Sequence, residues 1–145
     1  MPSETNYCCA VLPVACAVII SKGRVLAAQR ALHRSHGGLW EFPGGKIHPN
    51  ETAEACISRE IAEELGARVR LVARLPDCLY HYPHQSVCLI PFVCYAEDPA
   101  AFQPLEHQAI HWCTDEELTH LNWCAADRLV LQQYIAWKNA TEKTD

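Results

Sequence analysis

The chain has 145 residues, half of them apolar, and a net charge of −5 that comes from 12 basic and 17 acidic side chains. This length and apolar content suffice for one core, so we expect a single domain over residues 1–145, with loose ends at residues 1–6 and 140–145. The acidic excess cannot neutralise a long phosphate backbone, which argues against binding to a nucleic acid polymer. A small phosphorylated ligand is compatible with it, because divalent cations can carry the ligand's charge.

The longest apolar stretch, residues 7–20, contains Pro13 and is too short to span a bilayer. No basic side chain precedes it, as a secretory signal would require. We therefore expect a cytoplasmic protein that has no membrane partner. The nine cysteines include no Cys-x-x-Cys pair, and several lie inside apolar runs, which predicts buried, reduced thiols rather than disulfides or zinc ligands.

The N-terminal third predicts a β-hairpin with strands at residues 14–21 and 25–29 and a polar turn between them. A polar loop and a short loop-flanked segment at residues 39–42 follow. Residues 51–65 contain no Gly or Pro and repeat apolar side chains at helical spacing, which predicts a helix. We expect Asn50 to cap its start and Gly66 to end it in the left-handed conformation.

The C-terminal half alternates strand and helix patterns without regular βαβ repetition. Its predicted elements are strands at residues 69–75, 86–96 and 110–113, a short helix opened by a capping box at Thr114, and an amphipathic helix at residues 126–140. Strands outnumber helices in the whole chain, so the pattern predicts an α+β fold, a mixed sheet sandwiched between helices (α/β/α).

The central helix carries three carboxylates on one face, since Glu60, Glu63 and Glu64 lie at positions i, i+3 and i+4. Like charges at this spacing destabilise a helix by about 0.2–0.5 kcal/mol per pair, so a cation is expected to offset them. Arg59 can pair with Glu63, four residues on. The remaining negative field suits Mg²⁺ or Mn²⁺, which prefer oxygen ligands. In isolation, however, such a triplet is more typical of a solvated acidic face.

The surrounding residues change that interpretation. They match the spacing Gly-x5-Glu-x7-Arg-Glu-U-x-Glu-Glu-x-Gly, in which U is a bulky aliphatic residue, through Gly45, Glu51, Arg59, Glu60, Ile61, Glu63, Glu64 and Gly66. Seven fixed positions match by chance with a probability on the order of 10⁻⁸ per starting point, which excludes coincidence. The segment resembles the signature of the Nudix hydrolase family and departs from it at the final aliphatic position, which is Ala67.

This resemblance implies a Nudix fold with a loop-helix-loop catalytic motif. It implies that Mg²⁺, or Mn²⁺ in its place, is bound by Glu60, Glu63 and Glu64 together with the main-chain carbonyl of Gly44. Bound metal would neutralise a pyrophosphate linkage and orient the attacking water, so no covalent intermediate is needed.

Catalysis also needs an acceptor for the proton of the attacking water. Glu60 and Glu106 are alternatives for this role, and Arg59 is expected to belong to the same catalytic set. Glu106 is a candidate because residues 105–112 resemble the family segment whose glutamate reaches the metal from a mobile loop.

Residues 40–46 resemble the segment that enters the signature in MutT-type enzymes and in CTP pyrophosphohydrolases. Arg30 and Lys46 match family positions that contact substrate phosphates. Residues 121–127 resemble the stretch in which MutT-type enzymes carry a base-recognising Asn or Asp, here Asp127. If ionised, Asp127 only accepts hydrogen bonds, so it would select a base edge with N–H donors, on a guanine-type base or on cytosine. A helix cap is the alternative role for this residue.

Three aromatic residues, Phe42, Tyr80 and Tyr82, could stack on the base, although ordinary core packing is the alternative. The histidine pairs, His81 with His84 and His107 with His111, lack the context of a zinc site, so we expect surface or satisfied core residues.

The resemblance therefore predicts an enzyme that hydrolyses an oxidised or non-standard nucleoside triphosphate such as 8-oxo-dGTP to the monophosphate and pyrophosphate. This role would protect the nucleotide pool and so support DNA repair. A CTP or modified-dCTP pyrophosphohydrolase is the enzymatic alternative, and a non-catalytic nucleotide-sensing Nudix module is the alternative of another class. We expect a small nucleotide as the ligand and a monomer or homodimer as the assembly.

Overall fold

The computed structural model describes residues 11–143, with side chains described to residue 142; the expected loose end at residues 1–6 lies outside this range. The strands are β1 (Val11–Ser21), β2 (Arg24–Gln29), β3 (Trp40–Glu41), β4 (Gly44–Lys46), β5 (Val69–Arg74), β6 (Cys78–His81), β7 (Ser86–Ala96) and β8 (Ala109–Cys113). The helices are α1 (Ala53–Leu65), α2 (Asp115–His120) and α3 (Ala125–Lys143), and a 3-10 turn spans Pro99–Ala101.

The strands form one mixed sheet organised around β1 and β7, which pair in parallel over ten residue pairs from Val11 with Ser86 to Ile20 with Tyr95. The other pairings among the described strands are antiparallel: β1 with β2 and β4, β7 with β5 and β6, and β2 with β3 and β8. The expected mixed sheet is therefore confirmed.

Helices cover both faces of this sheet, because β1 is buried on both sides. Ala15, Ala17 and Ile19 pack with the apolar stripe of α1. Cys16 and Val18, which alternate with them, pack in a second cluster that includes residues of α3. Alternate side chains of a strand point to opposite faces, so one continuous apolar run supplies both cores. The expected α/β/α arrangement is confirmed.

The start of α1 differs from the prediction. Asn50 has a positive φ of 65° in the preceding turn, and Thr52 is the N-cap, with its hydroxyl oxygen accepting from Ala55 N at 3.0 Å. The helix therefore begins two residues later than an Asn50 cap would place it, and Glu51 lies outside it. Gly66 ends the helix in the left-handed conformation, as expected.

Three further expectations are settled by the described residues. The predicted loose tail at residues 140–145 is wrong for its first part, because α3 continues to Lys143. The capping box at Thr114 is confirmed. The seven cysteines within the described residues are free thiols and six of them are buried, which raises the pKa of Cys94 and Cys124 to about 12.

No helix of residues 11–143 is both long and apolar enough to cross a membrane.

Candidate active site

A cleft of about 390 Å³ is lined by residues of the signature loop and of α1, and we call it the acidic cleft. Six residues assigned from the sequence line it: Arg30, Gly44, Lys46, Glu60, Glu64 and Glu106. The fold thus brings together side chains from the end of β2, from β4, from α1 and from the segment before β8. Acidic groups face basic ones across a single cleft, which suits a ligand that combines phosphate with divalent metal.

Gly45 allows the carboxylate of Glu60 to lie directly against strand β4. A Cβ atom at Gly45 would lie 2.2 Å from Glu60 Oε2, which is far inside contact distance. Any side chain at this position would therefore displace the carboxylate. The glycine of the signature is explained by this close approach.

Arg59 joins the loop before α1 to the carboxylates of the helix. Its Nε lies 2.7 Å from Glu51 Oε2, and its Nη1 lies 3.0 Å from Glu60 Oε2 and 3.3 Å from Glu63 Oε1. The expected pair with Glu63 is confirmed, but the contact with Glu51 is shorter. Hydrogen bonding to Arg59 lowers the pKa of Glu51 to about 2. Arg59 does not line the acidic cleft, so it contacts the carboxylate of Glu60 from outside the cleft.

Glu64 is the buried acid of the cleft. Its Oε1 atom has no hydrogen-bond partner among the described residues. Burial, a hydrogen bond with Glu60 and the negative charges of Glu41 and Glu106 raise the pKa of Glu64. A buried carboxylate oxygen that accepts no hydrogen bond and lies near other carboxylates is a ligand that hard cations prefer. These residues therefore fit a divalent metal.

Glu63 is turned away from this group. Its side chain is 53% exposed, is held by Arg59 and does not line the cleft. No three His, Cys, Asp or Glu side chains within the described part of the chain converge in a ready-made metal-binding arrangement. The expected triplet is thus represented in the cleft by two of its members, Glu60 and Glu64, with Glu106 as a third acid from another segment.

Four titratable residues that line this cleft were not assigned from the sequence: Arg34, Glu41, His48 and His107. Glu41 accepts from Arg30 Nη1 at 2.9 Å through one oxygen, and its other oxygen lies 2.8 Å from His107 Nε2. Burial would raise the pKa of Glu41, but His107 and Arg30 lower it on balance. The sequence feature that could have indicated Glu41 is the position of an acidic residue between the apolar Trp40 and Phe42.

His107 was expected to be a surface or satisfied core residue, and this expectation is wrong. Its side chain is 6% exposed, and its Nδ1 atom is buried without a hydrogen-bond partner among the described residues. Its Nε2 also lies 3.9 Å from Glu64 Oε1. His111, by contrast, is half exposed and lies near Glu117, so the two histidines do not form a pair.

A second cavity of about 610 Å³ adjoins the acidic cleft. The two share Leu12, Val14, Arg30 and Glu41 as wall residues. Tyr82 and Asp127 line the second cavity only. Two cavities of this size, joined along one wall, can accept a ligand with a phosphate part and a ring part.

Asp127 is buried, and its Oδ1 accepts from Phe42 N at 2.9 Å. Burial, together with the negative charge of Glu41, raises the pKa of Asp127 well above its ordinary value. Burial therefore shifts Asp127 towards its protonated form relative to an exposed aspartate. A protonated carboxyl can donate one hydrogen bond and also accept.

The aromatic expectations are corrected in two of three cases. Phe42 is only 3% exposed and stacks on Trp123 at a centroid distance of 4.5 Å, so it has no face free for a base. Tyr80 packs edge-on against Tyr82 and does not line the second cavity. Tyr82 lines that cavity, and its hydroxyl oxygen accepts from Ala126 N at 3.0 Å.

Among known protein families, the NUDIX domain model matches this chain over residues 11–134. The CTP pyrophosphohydrolase of Escherichia coli K12 is 31% identical over 132 residues, which cover 90% of this chain and 96% of that protein. A putative 8-oxo-dGTP diphosphatase 2 of Mycobacterium tuberculosis is 34% identical over 118 residues, covering 79% and 82% of the two chains.

Solved structures show the same fold. The solution structure of the E. coli ORF135 protein has a TM-score of 0.77 at 30% identity and covers 90% of this chain and 92% of that one. The crystal structure of the MutT protein from Methanosarcina mazei also has a TM-score of 0.77, at 22% identity, covering 88% and 95%. The second likeness concerns the fold alone.

Proposed function

The chain belongs to the Nudix hydrolase family, and we propose that it hydrolyses an oxidised or non-standard nucleoside triphosphate, with 8-oxo-dGTP as the leading substrate, to the monophosphate and pyrophosphate. The observation that carries this proposal is that the two cavities are adjacent and share wall residues, among them Arg30 and Glu41. A nucleotide that occupies both would put its phosphates beside Glu60 and Glu64 and its base beside Asp127.

Nudix hydrolases generally depend on a divalent metal, and we propose Mg²⁺, with Mn²⁺ able to replace it. Glu60, Glu64, Glu106 and the carbonyl of Gly44 would hold it, and Glu63 joins them only if it leaves Arg59. When bound, the metal supplies charge neutralisation and activation of water. The unpartnered Oε1 of Glu64 supports this assignment.

The remaining residues of the acidic cleft have roles in binding and proton transfer. Lys46 and Arg30 would contact the phosphates, and Arg30 would keep its ion pair with Glu41 while doing so. Arg59 would hold Glu60 against β4. Glu60 and Glu106 are the two carboxylates available to accept the proton of the attacking water. A Gln substitution at each, assayed at saturating Mn²⁺, assigns the role to the one with the larger loss of kcat.

The second cavity supports an oxidised base over a normal guanine. We propose that Asp127 binds the base in its protonated form, in which it would present a donor next to an acceptor and complement a base edge that also has one of each. The edge of 8-oxoguanine carries N7–H beside the O6 acceptor, whereas the same edge of guanine carries two acceptors. Asp127 would therefore leave one of its groups unmatched on guanine, and an unmatched buried polar group lowers affinity.

A CTP or modified-dCTP pyrophosphohydrolase is the second candidate. Cytosine also presents a donor beside an acceptor, through its amino group and N3. The E. coli relative whose whole length is nearly covered is named a CTP pyrophosphohydrolase, which favours this alternative.

The test is release of pyrophosphate with Mg²⁺ from 8-oxo-dGTP, dGTP, CTP and 5-methyl-dCTP, compared by kcat/KM. A preference for 8-oxo-dGTP over dGTP by at least about 100-fold, or about 2.7 kcal/mol, supports the leading proposal. A preference for the cytosine nucleotides replaces it with the second candidate. Binding of these nucleotides without turnover would instead support a non-catalytic sensing module.

The role of Asp127 is tested in the same assay by two variants. Asp127→Asn keeps a donor and an acceptor at this position, whereas Asp127→Ala removes both. We expect Asp127→Asn to retain the preference among bases and Asp127→Ala to lose it. Equal preferences in the two variants would show that Asp127 does not select the base.

A further inference from the structure

The segment that carries Glu106 is attached to the rest of the fold on both sides. Before Glu106, Leu105 N donates to Glu64 O at 3.1 Å, at the C-terminal end of α1. After it, Gln108 N donates to Gln29 O at 2.9 Å, and the two glutamine side chains are hydrogen-bonded at 3.1 Å. The backbone is thus fixed at residues 105 and 108.

Between these attachments, His107 makes the side-chain contact. Glu106 is exposed, and its carboxylate has no hydrogen bond or ion pair to any residue in the range 11–142. The neighbouring ring of His107 also lines the acidic cleft, but it is buried and reaches Glu41 of β3 through Nε2 at 2.8 Å. Of these two adjacent cleft residues, His107 is therefore anchored by its side chain and Glu106 is not.

The orientation of the ring follows from its two nitrogens. The Nδ1 atom is buried and has no partner among the described residues, so a proton there would be an unsatisfied buried donor. The tautomer assigned from this arrangement carries its proton on Nε2, which donates to Glu41 Oε2. Arg30 holds the other oxygen of Glu41 at 2.9 Å, so the acceptor is itself fixed.

We propose that His107 is a positioning residue: by donating to Glu41 it fixes the segment on which Glu106 is carried, so that Glu106 faces Glu60 and Glu64. The inference rests on the proposed function in one respect, namely that Glu106 contributes to the divalent-metal site. It assigns His107 an effect on metal binding that is exerted through Glu106 and not through the ring itself.

A double-mutant cycle on metal binding tests this inference. The variants are His107→Leu, Glu106→Gln and the double variant, and the readout is the dissociation constant of Mn²⁺, measured without nucleotide from the electron paramagnetic resonance signal of the free ion. We expect His107→Leu to weaken Mn²⁺ binding about 10-fold, the lower end for residues that support metal ligands. The double variant should bind no more weakly than Glu106→Gln alone, because the ring has nothing left to position.

Three further variants separate positioning from a merely structural role. His107→Gln keeps an N–H donor near the position of Nε2 and should restore most of the Mn²⁺ affinity. His111→Leu, at a half-exposed position on β8, is the matched control and should leave the affinity unchanged. If His107→Leu fails to fold, His107→Asn replaces it, because its shorter amide does not reach Glu41.

Additive losses in the double variant would overturn the inference, as would unchanged Mn²⁺ binding in His107→Leu. A loss in His107→Gln as large as that in His107→Leu would also overturn it. The metal measurement does not require turnover. A wild-type protein that hydrolyses none of the triphosphates but shows the coupling would refute the proposed function and leave the positioning role intact.

Discussion

Glu51 and Arg59 are joined by two hydrogen bonds, from Nε to Oε2 at 2.7 Å and from Nη2 to Oε1 at 3.0 Å. Because Glu51 precedes α1 and Arg59 lies in its second turn, this bidentate pair ties the loop to the helix. The same guanidinium holds Glu60, so the pair also orients the carboxylate that faces the acidic cleft. Bidentate geometry of this kind is specific to arginine.

The Glu51 and Arg59 pair predicts a dependence of stability on pH. The pKa of Glu51 is lowered to about 2, so its stabilising contribution is present above the ordinary carboxyl range and is lost as the pH falls through the folded value. Glu51→Gln should therefore lower the Tm at neutral pH, and the difference from the wild type should shrink below about pH 4. Thermal unfolding followed by circular dichroism over this range measures it. A difference that is constant with pH would contradict the prediction.

Substitution of Arg59 by lysine should impair catalysis more than folding. Lysine keeps the charge but cannot hold Glu51 and Glu60 in one planar arrangement. We expect kcat/KM to fall about 10- to 100-fold in Arg59→Lys, a loss typical of residues that orient metal ligands. Steady-state kinetics with Mg²⁺ measure the loss, and Arg70→Lys, on strand β5 and outside both cavities, is the matched control. Equal losses in the two variants would contradict the role of Arg59.

Substitution of Gly45 by alanine should displace the carboxylate of Glu60 and leave the fold in place. The added Cβ would meet the flexible end of the Glu60 side chain, 2.2 Å from Oε2, and not backbone. We expect kcat/KM to fall at least about 10-fold with little change in Tm, because a misplaced group costs catalysis more than stability. A variant with wild-type kcat/KM would show that Glu60 need not lie against β4.

Neutralisation of Glu64 should have a larger effect than neutralisation of Glu63. Glu64 lines the acidic cleft with an unpartnered buried oxygen, whereas Glu63 is half exposed and paired with Arg59. We expect Glu64→Gln to weaken Mn²⁺ binding by about 100-fold and Glu63→Gln by about 10-fold or less. Because burial raises the pKa of Glu64, Glu64→Gln should also raise the Tm of the metal-free protein at neutral pH. The reverse ranking of the two variants would show that Glu63 turns into the cleft when metal binds.

Asp127 predicts a pH dependence of the opposite sign. Its pKa is raised in the folded protein, so its contribution to stability is present below the ordinary carboxyl pKa and is lost as the pH rises through the folded value. Asp127→Asn should match the wild type at about pH 4 and exceed its Tm at higher pH. Differential scanning calorimetry over a pH series measures the crossover, and a difference independent of pH would show that Asp127 does not titrate differently in the folded state.

Local features of the fold were predictable from sequence because they depend on neighbours along the chain. Three such features are the apolar face of α1, the end of that helix at Gly66 and the capping box at Thr114. Each depends on successive residues that are at most four positions apart. Strands β3, β4 and β6 were not predicted. They are short, and β4 begins with two glycines, so their strand conformation comes from pairing with β2, β1 and β7.

The candidate site likewise has one part that was predictable from the sequence and one part that was not. The carboxylates of the signature were predictable from their spacing on one helix. The contact between Glu41 and His107 joins residues 66 positions apart, and neither residue type indicates the other. The raised pKa of Asp127 likewise arises from burial by distant elements, which composition and spacing do not report.

The parallel pairing of β1 with β7 has a consequence for the order in which the protein can fold. Leu12 and Val14 of β1 pair with Val87 and Leu89 of β7, and all four residues line the second cavity. Contacts between residues this distant in the chain form late and slowly, since a long loop must close before they are made. During synthesis, the N-terminal hairpin can form early, but the second cavity must await the second half of the chain. An incomplete chain that carries the full signature would therefore still lack this cavity.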